Sequence, residues 1–556
     1  MPNEFDAIII GGGHNGLVCA AYLAKAGKRV LVLERRPVLG GAAAGEEVFP
    51  GFKVDTGASD AGLFNPRIIK DLNLENHGLR WLENPAVLFA PQLEAPGLTL
   101  WRDPERTREE ISRLSEKDAA RYPEFIRQVS RFATILSRML TLTPPSLPQW
   151  ELKELLPWAR VALKLKSLGK REMMEFIRLL PMPVADYLDE WFENPGLKAA
   201  LGASGVSGGF LGPRASGSAL MLLYQAAHAG QAGFRASRFV QGGMGALSGA
   251  LAAAARQHGA EIRTGSGVAH LLIEDGRAVG VDLVAGEQVR ASAIASSADP
   301  VHTLFGLVGA ANLEVRVVRE VKNIRMRATL ARVNLALEGL PEFKGADQGN
   351  THERLGGHIL IAPDLDYVER AYDQAKYGEF STQPVLDLTI PTVNDPSLAP
   401  PGAHLMCINA CYAPYSLKNG AWDSQKDKLL ETVIATLAQY APDLPAKIIH
   451  SQVITPLDLE REYGLTGGDI YHGQMSLDQL LMMRPIAGYG RYRMPVENLY
   501  LCGAGAHPGG GVTGAPGYNA AGEILSRGWP PKLDIFRSGR YNVITNNWRY
   551  TCDNCD

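Results

Sequence analysis

Phe5-Asp6-Ala7-Ile8-Ile9-Ile10-Gly11-Gly12-Gly13-His14-Asn15-Gly16 is the stretch on which the fold turns. Phe5–Ile10 is a short apolar run ending in three isoleucines, the pattern of a strand buried on both faces. Gly11-x-Gly13-x-x-Gly16 follows at once, residues 17–26 read as a helix, and Gly27 ends it. Residues 29–33 are a second apolar run, finishing at Glu34. Gly11 permits the tight turn, Gly13 lets backbone approach a phosphate, and Gly16 lets the helix pack closely on the strand. With Asn15, this loop and its helix N-terminus suit a pyrophosphate. Glu34 stands where a carboxylate accepts hydrogen bonds from a ribose diol. The fold class is therefore α/β, built around a Rossmann-type dinucleotide domain.

Nicotinamide dinucleotides use the same fingerprint, and four further features favour FAD. Arg35-Arg36-Pro37-Val38-Leu39-Gly40-Gly41-Ala42 continues past the acid, and its Gly40-Gly41 turn can bring backbone to the flavin side of a cofactor. Pro50-Gly51-Phe52-Lys53-Val54-Asp55-Thr56-Gly57 comes next. Residues 259–268 read as a strand at the adenine edge, with Val268 beside it. Far downstream, residues 497–505 form a strand ending in Gly503-Ala504-Gly505, and a glycine-rich loop then enters a helix at Gly514 and Ala515. A second helix N-terminus of this kind stabilises the negative charge of a reduced flavin. The two ends of the chain should meet in one domain. Gly11, Gly13, Asn15, Gly16, Glu34, Arg35, Gly40, Gly41, Ala42, Val268, Gly503, Gly505, Gly514 and Ala515 are the expected FAD-binding residues.

Composition is that of an ordinary globular enzyme of two or three domains: 556 residues, 46% hydrophobic and 21% charged. A net charge of −3 gives no electrostatic case for nucleic acid. Six cysteines are too sparse for a disulfide framework, and no metal-ligand set is expected. The N-terminus runs directly into a strand, leaving no room for a targeting peptide. Residues 215–234 lack charge but hold glycines, glutamines and a histidine, so they read as buried protein rather than a membrane span. A cytoplasmic location is expected.

Longer stretches carry a family likeness: residues 11–21 (GGGHNGLVCAA), residues 34–43 (ERRPVLGGAA), Pro50-Gly51-Phe52, Asp189-Glu190-Trp191-Phe192-Glu193, Gly467-Gly468-Asp469-Ile470-Tyr471-His472, and residues 503–521. With these, about residues 5–525 resemble the FAD-dependent phytoene desaturase and carotenoid oxidoreductase superfamily. Within it they are most similar to the group named for a pyridine nucleotide-disulfide oxidoreductase domain. The resemblance implies the amine oxidase/phytoene desaturase architecture. A discontinuous FAD-binding domain (1–75, 235–305 and 490–528) would sit beside a mixed α+β substrate domain (76–234 and 306–489). Two features depart from the family. Ala42 stands where many relatives have arginine. No cysteine pair is placed for disulfide chemistry, since Cys19 stands alone on the first helix and Cys407 and Cys411 lie in or beside a predicted strand. Residues 243–249 spell GxGxxxG but lack a preceding apolar strand and a following acid, so no second dinucleotide site is expected. Reduced flavin would then pass electrons to O2, a quinone or another acceptor.

Flavin carries the redox chemistry, and an acid or base is needed only if a second proton moves. His507, Tyr471 and His472 are the catalytic candidates, with Asp60 behind them. The leading expectation is a dehydrogenase or desaturase that takes a hydride from a hydrophobic substrate, isoprenoid or polyene, onto flavin N5. An amine or alcohol oxidase, a carotenoid ketolase, and a low-turnover flavin-containing interaction protein are the alternatives. Residues 152–180 read as helical and mix Arg160, Lys164, Lys166, Lys170 and Arg171 with apolar residues, which leaves a peripheral membrane contact open beside a plain solvated helix. Residues 529–556, with Cys552 and Cys555, read as a terminal tail that either stays mobile or docks on a neighbouring copy of the chain.

Overall fold

Phe5–Ile10 is the middle strand of a parallel sheet, and only Asp6 of its six residues reaches solvent. It pairs on one side with Val30–Leu33 and on the other with Gln288–Ser296. Glu261–Arg263 adds outside Val30–Leu33, and Leu499–Leu501 adds beside Gln288–Ser296, both in parallel. Strands from both ends of the sequence thus share one sheet. Gln288–Ser296 is long enough to serve twice: its first half pairs with Arg277–Leu283, which pairs with Val268–Glu274. Val268–Glu274 and Arg277–Leu283 are therefore two strands of a three-stranded meander. Asp275 and Gly276 turn it with φ of 48° and 75°, the positive values a tight two-residue turn requires. The computed structural model describes residues 5–145, 152–206, 208–229, 233–327, 330–346 and 350–526. The expected tail at 529–556, with Cys552 and Cys555, lies outside the described residues.

Three helices rich in small residues, His14–Lys25, Met244–Gln257 and Ala515–Ser526, pack on and around the parallel sheet. Small side chains let backbones approach, and at one point nothing larger than hydrogen fits. A Cβ on Gly517 would lie 2.0 Å from the Asn15 carbonyl oxygen. Met244–Gln257 begins at the GxGxxxG stretch. Its N-terminus is taken by Asp55, whose Oδ1 accepts the Met244 N–H at 2.7 Å. The strand before it, Phe239–Val240, pairs with Trp81–Leu82 and not with the parallel sheet.

A second, mixed sheet runs in the order Ile448–Ile454, Leu330–Leu337, His404–Cys411, Leu386–Thr389, His358–Ile361, Ala86–Ala90, Leu98–Trp101. One apolar cluster holds Ile359, Ile361, Leu386, Leu388, Met406 and Ile408 together with Trp422 and Leu437 of the helix Trp422–Tyr440. Leu386-Asp387-Leu388-Thr389 is buried throughout yet alternates apolar and polar, so the opposite face carries side chains a core would not choose. Over part of the sheet lies a helical layer led by the 26-residue Glu116–Thr141. Ser115 caps that helix by accepting the Asp118 N–H at 3.2 Å.

The single helical stretch expected at 152–180 is two helices, Leu152–Lys166 and Gly169–Leu179. The break falls at Gly169, where φ is 81°. Residues 215–234 contain the buried helix Ser218–Ala226. Among the described residues no helix is long and apolar enough to cross a membrane.

Candidate functional site

Gly11 takes φ of 94°, and a Cβ on Gly16 would meet the Gly11 carbonyl oxygen at 2.2 Å, so the first turn is closed to larger residues at both ends. Gly13 bridges in parallel to Gly40. The Gly40 N–H donates to the Gly12 carbonyl at 2.9 Å, which lays the second glycine turn against the first. Gly41 and Ala42 continue that turn, and the Ala42 carbonyl accepts the Ala58 N–H at 2.7 Å. Glu34 accepts the Gly12 N–H at 2.7 Å on Oε2 and the Arg36 N–H at 2.8 Å on Oε1. Each oxygen keeps a further lone pair for a ligand. Its carbonyl takes the Ser266 N–H at 2.8 Å, which brings the start of the Val268 strand alongside.

The downstream loop closes over the same place. Gly503 is pressed on Ser297, where a Cβ would stand 2.2 Å from the carbonyl oxygen, and Gly505 is pressed on Pro300. Gly514, at φ of 70°, leads into the helix whose N-terminal Ala515 N–H is capped by Thr513 Oγ1 at 3.2 Å. His14 Nε2 and Asn15 Oδ1 in the first loop are buried without a hydrogen-bond partner, as is Arg36 Nη1. Buried orphan atoms at the first helix N-terminus and just past Glu34 are what a bound dinucleotide satisfies, so these residues fit FAD. Arg35 is placed elsewhere: Nη2 donates to the Glu462 carbonyl at 2.6 Å, at the C-terminal end of the helix Pro456–Tyr463. Arg36 is the neighbour that faces inward, paired with Glu46 at 2.7 Å and stacked 4.4 Å from the Tyr463 ring centroid.

A cavity of about 150 Å³ opens at Ala58, Ser59 and Asp60, just beyond the second glycine turn. Thr389, Cys407 and Asn409 from the polar face of the second sheet also line it. Sheet register explains that face: His358 lies opposite Thr389, and Asp387 opposite Asn409. Tyr471 forms another wall, and burial pushes its phenol above the ordinary value. His472 does not line the cavity. Its buried imidazole neighbours His14, and burial holds both at about 4. His507 is wholly buried outside the cavity wall, among the carbonyls at the end of Glu116–Thr141, and is likewise held at about 4. Arg484, a buried cation, donates to the carbonyls of Ala504, Gly473, Gln479 and Tyr471, and so ties the Tyr471 segment to the downstream glycine loop.

Asp60 belongs to a cluster that sequence order conceals. His358 Nε2 meets Asp60 Oδ2 at 2.9 Å, and Nδ1 meets Asp387 Oδ1 at 3.0 Å. Arg235 Nη2 donates to Asp387 Oδ2 at 2.7 Å and lies 2.9 Å from His358 Nδ1. His358, Asp387 and Arg235 are buried. Burial and Arg235 pull the imidazole down, but the two carboxylates outweigh them and raise it overall. Asp387 sits far below the ordinary carboxylate range because Arg235 and His358 offset its burial. Thr389 Oγ1, 3% exposed, has no partner. Asn409 gives its side-chain oxygen to Arg332 Nη1 at 2.9 Å, which leaves its NH2 as a donor.

Cys19 does not stand alone: Cys502, at the end of Leu499–Leu501, lies against it, and both are reduced and buried. The Cys19 thiol and burial raise Cys502 well above its ordinary value, the opposite of what a reactive thiolate needs. Among the described residues no cluster could hold a metal ion.

The profile of flavin containing amine oxidoreductases matches residues 16–525. Pyridine nucleotide-disulfide oxidoreductase domain-containing protein 2 of Rattus norvegicus is 38% identical over 94% of this chain and 93% of its own. One of the chains of the limonene dehydrogenase of Castellaniella defragrans is 29% identical over 93% of this chain and 94% of its own. In shape the chain is similar to wild-type putrescine oxidase bound to putrescine, with a TM-score of 0.55 and 15% identity over 94% of this chain and 99% of that one.

Proposed function

Because this chain belongs to the flavin-containing amine oxidoreductase family and is an FAD-dependent oxidoreductase, we propose that it dehydrogenates a substrate held in the cavity at Asp60, Thr389 and Tyr471. FAD, when bound, supplies the two-electron acceptor. The two glycine turns and the downstream helix N-terminus would hold it, with Glu34 and Arg36 at its ribose side. The observation that carries the reading is one main-chain contact. Ala58, a cavity wall residue, hydrogen-bonds to Ala42 of the second glycine turn, so whatever fills the cavity lies next to the expected cofactor residues. Asp60 and His358 stand on the same wall and can take a proton from that substrate.

About 150 Å³ of space accepts something near the size of a benzene ring. A compact reacting group, rather than a long polyene lying wholly inside, suits that volume. Desaturation of an isoprenoid is the second reading, and the name of the limonene dehydrogenase favours it. Anaerobic addition of candidate substrates to the yellow protein tests both: bleaching is expected at the flavin maximum, about 450 nm. A pure protein that carries no flavin, or whose flavin no compound bleaches, ends the proposal.

The helical pair Leu152–Lys166 and Gly169–Leu179 supports a lipid-surface contact. Leu156, Leu163, Met174 and Ile177 are between 47% and 66% exposed and lie among Arg160, Lys164, Lys170 and Arg171. Apolar and cationic groups on one exposed segment favour anionic headgroups. Cosedimentation with phosphatidylserine vesicles, and none with phosphatidylcholine, is the expected result.

A further inference from the structure

We propose that the cavity is built for an alcohol carbon, with Asp60 as the base that takes the hydroxyl proton and His358 with Asp387 as the pair that stores it. The proposal rests on the dehydrogenase reading above and names its substrate class.

An alcohol oxygen donates one hydrogen bond and accepts others, and the cavity offers both kinds. Thr389 Oγ1 is a buried hydroxyl without a partner. Asn409 has its oxygen engaged by Arg332, so its NH2 end donates. Asp60, bonded to His358 next to Thr389, is a carboxylate and accepts. Two donors and one acceptor suit a hydroxyl losing its proton and the carbonyl that results. An alkylammonium brings donors only, and the Asn409 NH2 has nothing to give it. A hydrocarbon leaves the Thr389 hydroxyl and the Asn409 NH2 unpaired in the wall, at a cost of about 1–3 kcal/mol each.

The His358 cluster is suited to receive a proton reversibly. When charged, the ring donates from Nε2 to Asp60 at 2.9 Å and from Nδ1 to Asp387 at 3.0 Å; once it has lost the Nε2 proton, Nε2 can take one back from Asp60. A proton reaching Asp60 then passes to Nε2, and the imidazolium donates to both carboxylates with no hydrogen bond lost. Arg235 fixes Asp387 as the anion that orients the ring. The charged and titratable groups around this unit are Asp60, Asp387 and Arg235, with Tyr471 across the cavity and Arg102 and Arg238 behind Asp60. In the reaction the C–H bond breaks and its hydrogen leaves with the electron pair, for which FAD, when bound, would be the acceptor. The O–H bond breaks and its proton goes to Asp60, and the carbon–oxygen double bond forms. Carbon loses two electrons, and O2 or a quinone would finally receive them from the cofactor.

The test uses the full FAD-loaded protein and three probes of matched shape: cinnamyl alcohol, cinnamylamine and the hydrocarbon β-methylstyrene. Anaerobic stopped-flow should show the alcohol bleaching the flavin fastest, with a rate that rises with pH through one ionisation. Asp60→Asn should lower that rate about 10²–10⁴-fold and flatten the pH limb, with the flavin spectrum intact. His358→Gln should shift the limb. Cinnamaldehyde cannot reduce flavin and reports binding alone: its perturbation of the flavin spectrum should need about tenfold more ligand in Thr389→Val. Bleaching by the amine or the hydrocarbon but not the alcohol overturns the alcohol assignment and leaves the dehydrogenase standing. So does an Asp60→Asn protein with unchanged rate and pH limb. If none of the three bleaches a flavin that dithionite reduces, both proposals fall.

Discussion

The cofactor cradle and the cavity wall behind Asp60 lie side by side, yet they are made from different materials. The expected cradle is backbone: glycines at 11, 16, 40, 503 and 517 clear space for close main-chain approach. The wall is side chain: Asp60, Arg235, His358 and Asp387 arrive from four distant segments. A backbone site tolerates no added atom, whereas a side-chain site tolerates changed shape better than changed charge.

The largest effect is expected where backbone meets backbone. Gly517→Ala sets a Cβ 2.0 Å from the Asn15 oxygen, and the helices must part by more than such packing allows, at about 3 kcal/mol or above. The protein should purify without flavin, or not at all. A Gly517→Ala protein with full flavin content would remove the distinction between the two regions. Next comes Arg235→Met. It leaves Asp387 buried with one partner fewer, and breaking a buried pair costs about 3–5 kcal/mol. Chemical denaturation should report that loss while flavin content stays near stoichiometric, because no cradle residue is touched.

pH separates the regions by sign. His14, His472 and His507 are held at about 4 by burial. As pH falls from 6.5 toward 4, the unfolded chain binds protons that these imidazoles refuse, and stability drops. His358 is raised, so its contribution is complete below about 6.5 and is lost as pH rises through the folded value. Thermal melts should therefore fall steeply on the acid side and gently on the alkaline side. His358→Gln should remove only the alkaline slope. The smallest contrast lies between neighbours. Arg36→Ala should weaken flavin retention, while Arg35→Ala should cost about 0.5–1 kcal/mol of stability through a helix C-terminus and leave flavin in place. Reversed outcomes would return Arg35 to the cofactor.

This contrast also explains what could be read from the sequence. Main-chain sites announce themselves, because only glycine meets the steric demand. The strand–loop–helix turn around Gly11 and Gly16 and the tight downstream loop at 503–514 were legible for that reason. Arg35 and Arg36 were not separable, since which of two adjacent arginines points inward depends on packing against Tyr463 and the helix Pro456–Tyr463. His507 looked reactive beside a glycine loop, but its ring is buried against the end of Glu116–Thr141. His358, Asp387 and Arg235 carry no local motif. One signal existed: Leu386-Asp387-Leu388-Thr389 alternates in a strand with no exposed residue, and polar groups at alternate places in a buried strand must face something other than a core. The contact between Cys19 and Cys502 joins residues from the two chain ends and had no signature at all.

Gly517 resting on Asn15 has a consequence for how the protein is made. On the ribosome the upstream loop emerges first, and its orphan atoms wait until residue 517 has been synthesised. At about 5–20 residues per second, that delay is about half a minute to a minute and a half. The nascent chain must spend it without the contact that joins its two ends, so capture of flavin by the expected cradle would belong to the last act of synthesis.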